Sequence, residues 1–185
     1  MKKKIISAAS ALIILFTANA QMPAGFEKGS VTLADGTTLS GFVKDNMKRD
    51  ASVVYTDANG SNKTAYSASI INAAGINGTD YRSIKGDFFK VICNGKICFL
   101  QKASNATGKT IYNGSEAIIV DGTPGKTGDY FSYSNNELVL INKKSVDAFI
   151  GQMSSCNEAL EKAKAINGNI AALADAVAIY NSLSK

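Results

Sequence analysis

Apolar and polar residues alternate through most of the first 140 positions, in short runs separated by glycine-containing turns. Alternation with a period of two is typical of half-buried β-strands, and Asn-Gly between two such runs is typical of tight β-hairpins. Within the first 100 residues, Asn-Gly occurs at residues 59–60, 77–78 and 94–95. The pattern predicts a succession of antiparallel hairpins.

Residues 88–101 contain two strongly apolar runs around Asn94-Gly95. A two-residue type I′ turn there would pair Cys93 with Lys96 and Val91 with Cys98. Both faces of this hairpin would then carry large apolar side chains, which is expected of strands in the middle of a sheet system.

The other hairpins have registers that bring apolar side chains together. We expect a three-residue loop ending in a left-handed Gly36, and we expect residues 45–50 and 102–108, which are polar, to be surface loops. The predicted opposite pairs are Val31 with Leu39, Val53 with Tyr66, Tyr55 with Thr64, Phe131 with Leu140, and Tyr133 with Leu138.

The period changes to about 3.6 after residue 141, which predicts helices over residues 146–153, 155–166 and 170–183. Strands followed by segregated helices indicate the α+β class. We expect an antiparallel, hairpin-rich sheet or partly open barrel in residues 21–141, followed by two to three C-terminal helices in residues 142–185 that pack on it.

Residues 1–20 have the pattern of a signal peptide. Lys2 to Lys4 precede an apolar run, and Ala18-Asn-Ala20 has the small residues that signal peptidase recognises. The apolar run is shorter than the roughly 20 residues that span a bilayer. The sequence predicts export to the periplasm, outer surface or medium, with no transmembrane segment after cleavage.

The charge of the predicted mature chain is small. Removal of residues 1–20 takes away three of the 20 basic residues and no acid, which leaves a net charge of +2. Nucleic-acid binding needs concentrated Lys and Arg, and the chain has only Arg49 and Arg82 as arginines. We therefore expect no nucleic-acid partner. The expected partner is an unknown protein or a component of the cell envelope.

The chain has no histidine, which excludes Ser-His-Asp and Cys-His catalysis and imidazole metal sites. Residues 57–62 resemble part of a calcium loop, but Ala68 stands where a bidentate Glu is required. The sequence predicts no catalytic set, no metal site and no cofactor.

Cys93 and Cys98 would lie diagonally on one face of the predicted hairpin. Diagonal neighbours have Cα atoms about 7 Å apart, near the upper limit for a disulfide. An oxidising compartment permits a Cys93–Cys98 bridge. Free buried thiols and a bridge to Cys156 remain the alternatives.

The chain resembles an uncharacterised family of small exported proteins from Bacteroidota-type bacteria. The resemblance rests on residues 29–41, the strand at residues 88–91, and a Cys156 that opens a helix ahead of residues 178–181. It implies a β-rich part with C-terminal helices and implies no activity.

The leading functional interpretation is a non-enzymatic structural or binding module of the periplasm or cell surface, although the sequence leaves open whether the protein is an enzyme. The alternative is a carboxylate-dependent hydrolase acting on an extracellular substrate. A third hypothesis is membrane association through residues 146–153 or the last helix. The carboxylates that would serve the hydrolase lie near predicted strand ends: Asp80, Asp87, Glu116, Asp121 and Asp129.

Overall fold

A computed structural model describes residues 22–113, 116–119 and 122–183. The predicted signal peptide, residues 1–20, lies outside the described residues. Antiparallel strands occupy the first part of the described chain and helices the last part. The predicted α+β class, with an open antiparallel sheet followed by helices, is confirmed.

The strands follow the predicted alternating runs closely. They are β1 Glu27–Leu33, β2 Thr38–Asn46, β3 Ser52–Thr56, β4 Lys63–Ser67, β5 Ile71–Ile76, β6 Thr79–Ile84, β7 Asp87–Cys93, β8 Cys98–Lys102, β9 Thr110–Asn113, β10 Glu116–Ile119, β11 Tyr130–Ser134 and β12 Glu137–Ile141.

Short helices interrupt and follow the strands. They are α1 Met47–Asp50, α2 Val146–Gly151, α3 Asn157–Lys164 and α4 Leu173–Leu183, with a 3₁₀ turn at Ile170–Ala172 before α4. Helix α1 is a single turn within the stretch predicted to be a loop. It forms there because the side chain of Asp45 accepts a hydrogen bond from the first helical N–H, that of Met47, at 2.8 Å.

Ten strands form one antiparallel sheet in the order β12-β11-β8-β7-β6-β5-β1-β2-β3-β4, while β9 and β10 pair with each other. Most neighbours are also neighbours in sequence, as expected when tight turns join them. All five predicted opposite pairs outside the central hairpin are confirmed: Val31 with Leu39, Val53 with Tyr66, Tyr55 with Thr64, Phe131 with Leu140, and Tyr133 with Leu138.

The predicted register of the central hairpin is wrong. Val91 lies opposite Leu100, and an irregularity between Val91 and Cys93 places Cys93 opposite Phe99. Residues 94–97 therefore form a longer loop in place of a two-residue turn. The physical reason is tertiary: Asn181 of α4 hydrogen-bonds to the backbone of Ile97 and holds this loop against the helix.

A pair of glycines lets neighbouring backbones approach closely where the sheet bends at β1 and β2. Gly29 and Gly41 lie opposite each other. A Cβ atom at Gly29 would collide with the carbonyl oxygen of Gly75, and one at Gly41 with that of Thr56. Strands β2 and β5, which flank β1, also contact each other across the bend. These glycines are required because no side chain fits where the backbones approach.

Alternation of side chains divides the sheet into two faces. The helices α2, α3 and α4 cover the face that carries Phe99, and we call this the inner face. Phe99 stacks on Tyr130 and Phe149 in a cluster that includes fully buried Met153, Leu173 and Val177. A second buried cluster on the same face, around Val31, Val43, Val53 and Phe88, lies at the bend.

The opposite face, which we call the outer face, carries a smaller buried cluster of Phe89, Cys98, Leu100 and Phe131. The register places these residues on one side of β7, β8 and β11. Gly125 in the loop before β11 is close to the ring of Phe131. The outer face is therefore covered by a loop at one end and open at the other.

Within the described residues, no helix combines the length and the apolar character that a bilayer crossing requires.

Candidate functional site

The outer face carries a buried polar feature at one end and an open one at the other. The buried feature is an ion pair between Asp87, at the start of β7, and Lys102, at the end of β8. The Nζ atom of Lys102 lies 3.1 Å from Oδ2 of Asp87, and both side chains are completely buried. The prediction of a surface loop over residues 102–108 is wrong for Lys102, Ser104 and Ala106, which are all buried.

The carboxylate of Asp87 is fully hydrogen-bonded. Its Oδ1 accepts from the Ser104 hydroxyl at 3.0 Å and the Ala106 N–H at 2.7 Å. Its Oδ2 accepts from the N–H and hydroxyl of Thr123, at 2.8 and 2.7 Å. Asp87 thus connects two loops to the sheet.

The ammonium of Lys102 is equally well satisfied. Besides Asp87, it donates to three successive carbonyl oxygens, those of Thr123, Pro124 and Gly125, at 2.6, 3.3 and 3.3 Å. These contacts leave it no free donor for a ligand. We call Asp87, Lys102, Ser104 and Thr123 the buried clamp. Its chemistry is structural, because every charge and hydroxyl in it is used to hold the loops over the outer face.

The open feature is a groove of about 510 Å³ at the other end of the outer face. It lies between the loop after β7 and the turn between β11 and β12. We call it the polar groove. Its lining consists of two cations, amides, hydroxyls, one thiol and one glycine, without an acidic side chain: Arg82, Asn94, Gly95, Lys96, Cys98, Tyr133, Ser134, Asn135 and Asn136.

Arg82 extends from the middle of β6 into the polar groove and is half-buried. One guanidinium nitrogen donates to Oδ1 of Asn94 at 3.1 Å. No carboxylate of the described residues lies within 4.0 Å of this guanidinium. A guanidinium carries five N–H donors in a fixed plane, so most of its donors are available to a ligand.

The far wall of the polar groove is the tight turn between β11 and β12. Asn135 and Asn136 both have left-handed backbones, with φ of +49° and +62°. This conformation is the one that a two-residue hairpin between β11 and β12 requires, and Asn adopts it more easily than most residues. The Tyr133 hydroxyl donates to Oδ1 of Asn136 at 3.1 Å. The turn therefore presents its amides in a fixed arrangement.

Cys98 lies at the floor of the polar groove and is 3% exposed. Burial raises the pKa of its thiol, and the nearby Arg82 opposes that effect. A thiol with a raised pKa stays protonated near neutral pH and is a poor nucleophile. Cys98 therefore acts as part of the apolar floor.

The structure forms no bridge between Cys93 and Cys98, and all three cysteines of the chain are free thiols. The predicted bridge depended on the wrong register. The irregularity in β7 turns Cys93 to the inner face, where its thiol donates to the carbonyl of Ala174 at 3.3 Å. Cys98 belongs to the cluster on the outer face. The sheet separates the two thiols.

A smaller groove of about 240 Å³ continues the polar groove across β6, β5 and β1, and the two share Arg82 and Asn94. Its lining includes Asp80, Ser30 and Thr32. Of the carboxylates proposed for a hydrolase, Asp87 is in the buried clamp and Asp129 caps the backbone of Lys126. Asp121 and the side chain of Glu116 lie outside the described residues.

The stretch that resembles a calcium loop forms a turn. Oδ1 of Asp57 accepts from the N–H groups of Asn59 and Ser61, at 3.1 and 3.2 Å. No cluster of three or more Cys, Asp or Glu residues suited to a metal ion is found in the described part of the chain.

Sequence reasoning did not identify the polar groove. From the sequence, Arg82 is only one of two arginines, and residues 135–136 are only the turn implied by the pairing of Phe131 with Leu140. One feature of the sequence could have indicated the groove. Arg82 lies in a β-strand, and its two cross-strand neighbours, Phe89 and Ala73, are not acidic.

No protein-family model matches this chain, and no curated protein or solved structure is similar to it. The resemblance to small exported proteins of Bacteroidota-type bacteria therefore stays a prediction.

Proposed function

We propose that this protein is an exported, non-enzymatic binding module of the periplasm or cell surface, and that it contacts its ligand through the polar groove. The observation that carries the proposal is the half-buried guanidinium of Arg82, which has one hydrogen bond and no carboxylate partner within the described residues. Partly burying a charge without a counter-charge costs free energy. A ligand that supplies the counter-charge would recover it.

The shape of the molecule supports binding at this place. The helices cover the inner face, while loops held by the buried clamp cover only one end of the outer face. The polar groove is accordingly presented on a rigid sheet, between a loop anchored by Asn181 and a tight turn. Sites held by a scaffold of this kind bind with little loss of conformational entropy.

Export is tested by expressing the full chain in a bacterium and measuring the intact mass of the product in each cell fraction. We expect a mature protein that begins at Gln21, outside the cytoplasm. An Ala20→Leu variant should block cleavage because a large residue occupies the cleavage position. Ala24→Leu, four residues later, is the matched control. Uncleaved wild-type protein in the cytoplasm would overturn the proposed location.

Binding is tested by co-sedimentation of the purified mature protein with isolated cell envelopes. We expect Arg82→Gln to reduce the bound fraction at least several-fold. Arg49→Gln is the matched control, since Arg49 has a 74% exposed side chain paired with Asp50 on helix α1, away from the groove. Equal binding by the two variants would refute a role for the polar groove.

A further inference from the structure

We propose that the polar groove recognises a polysaccharide that carries carboxylate groups, a uronate polymer. This inference rests on the proposed binding function and specifies its ligand. It follows from the charges of the lining, from the hydrogen-bonding character of its side chains, and from the position of the groove on the sheet.

The lining charges select an anion. Arg82 and Lys96 are its two ionisable cations, and none of its lining residues is acidic. The ammonium of Lys96 lies 5.3 Å from the ring centroid of Tyr180 in helix α4, so Arg82 is the cation that the inference depends on. A planar guanidinium forms paired hydrogen bonds with a planar carboxylate, which makes arginine well suited to this group. One carboxylate bound at Arg82 would supply its missing partner.

The remaining lining suits sugar hydroxyls, which both donate and accept hydrogen bonds. Asn94, Asn135, Asn136, Ser134 and Tyr133 carry amides and hydroxyls that also do both. Tyr133 adds an aromatic ring beside them. A volume of about 510 Å³ lies within the range of roughly 300–1,000 Å³ common for ligand sites.

The groove favours a chain over a single sugar. It continues into the smaller groove through Arg82 and Asn94, so a linear polymer can lie across both. In the smaller groove, the carboxylate of Asp80 and the hydroxyls of Ser30 and Thr32 are acceptors for further sugar hydroxyls. The carboxylate of Asp80 would repel an acid placed directly against it, so the sugar in the smaller groove must hold its own carboxylate away from Asp80 while its neighbour pairs with Arg82.

An acidic peptide fits this place less well. Peptides commonly bind by adding a strand to a sheet edge. The polar groove lies over β6, β7, β8 and β11, whose backbones already pair with one another. A peptide there would find no free ladder of N–H and carbonyl groups. A polysaccharide needs none.

The experiment is isothermal titration of the mature protein with polygalacturonate at low ionic strength. Fully methyl-esterified polygalacturonate is the neutral control polymer, and poly-L-glutamate tests the peptide carboxylate. We expect binding to polygalacturonate, at least tenfold weaker binding to the other two, and weakening by added salt. Equal affinity for the ester, or for poly-L-glutamate, would overturn the inference.

Variants separate specific recognition from general charge attraction. We expect Arg82→Gln to weaken polygalacturonate binding at least tenfold, Arg82→Lys to weaken it less, and Arg49→Gln to leave it unchanged. Asn136→Gly removes an amide while tolerating the left-handed backbone, and we expect a several-fold loss. Equal losses in Arg82→Gln and Arg49→Gln would contradict the inference. If the wild type binds envelopes through Arg82 but ignores polygalacturonate, the ligand is wrong and the binding function stands.

Discussion

The carboxamide of Asn181 forms two hydrogen bonds with the backbone of Ile97, 84 residues earlier in the chain. Its Nδ2 donates to the Ile97 carbonyl at 2.8 Å, and the Ile97 N–H donates to its Oδ1 at 2.9 Å. The Asn181 side chain thereby satisfies both backbone groups of Ile97, as a residue on a neighbouring strand would, and ties helix α4 to the β7–β8 loop. This relationship fixes one wall of the polar groove.

Replacement of Asn181 by Ala should destabilise the protein by about 1–3 kcal/mol, because it leaves the N–H and carbonyl of Ile97 without partners. Urea unfolding measures this change. The neighbouring Ser182→Ala removes only the exposed hydroxyl that donates to the Ile179 carbonyl, and it should change stability by less than about 0.5 kcal/mol. Faster hydrogen exchange at the Ile97 amide in the Asn181 variant would locate the effect. Equal stabilities of the two variants would contradict the role of Asn181.

The same contact shows where sequence reasoning reached its limit. Registers set by local turns were predicted correctly, as for Val31 opposite Leu39, because turn chemistry and apolar pairing agree there. Asn94-Gly95 gave an equally strong local signal. Its register is nevertheless different, since a distant helix competes for the loop. A Cβ at Gly95 would lie only 2.6 Å from Cγ of Asn181, so this glycine serves close packing against the helix.

Breaking the buried clamp on one side should be strongly destabilising. Asp87→Asn leaves the Lys102 ammonium buried without a counter-charge. Lys102→Met leaves the Asp87 carboxylate buried without a counter-charge. Each should cost about 3–5 kcal/mol of unfolding free energy, and the double variant should lose less than the two single losses combined. Chemical denaturation of the four proteins gives this coupling.

The matched control is the exposed ion pair between Lys164 and Glu161, at 3.0 Å. Lys164→Met should cost at most about 1 kcal/mol, because water screens this pair. Additive losses at Asp87 and Lys102 would show that the two side chains do not act together.

The bend in the sheet should be intolerant of side chains. Gly41→Ala places a Cβ against the carbonyl oxygen of Thr56, and Gly29→Ala places one against that of Gly75. We expect each to lower stability by at least about 1–3 kcal/mol. Gly151→Ala, in helix α2, is the control because open space surrounds that position. It should be neutral or stabilising, since Ala favours a helix. Comparable melting temperatures for all three variants would argue against a bend imposed by close approach.

Cys98 should make stability depend on alkaline pH. Burial raises the pKa of its thiol, so the folded state holds this proton more tightly than the unfolded state does. The stability that this tighter proton binding adds is fully present below the unfolded pKa of about 8.5. It is lost as the pH rises through the folded pKa. We expect the stability difference between wild type and Cys98→Ala to shrink from pH 7 to pH 10 in urea titrations. A difference that stays constant would exclude a raised pKa.

The free thiols give a further prediction. Unreduced, denatured protein should take up three alkyl groups from iodoacetamide, and peptide mapping of native protein at pH 8 should leave Cys98 unmodified because it is 3% exposed. Uptake of one group would reveal an intramolecular bridge.

Both polar features of the outer face were hard to predict for a related reason. Asp87 was noticed as a carboxylate near a strand end, but nothing local to Lys102 indicates that its ammonium meets three carbonyls more than 20 residues later in the chain. The polar groove likewise joins Arg82, Asn94 and Asn136 from three separate hairpins. Alternation assigns each of these residues to a face, and only the order of strands in the sheet brings them together.

The late position of Asn181 also bears on how the molecule is made. A ribosome must translate residue 181 before the central loop can adopt its final shape, so any shorter nascent chain carries the polar groove in unfinished form. Contacts over such separations also raise the contact order of the protein, which slows folding. The polar groove should accordingly be among the final parts of the protein to form.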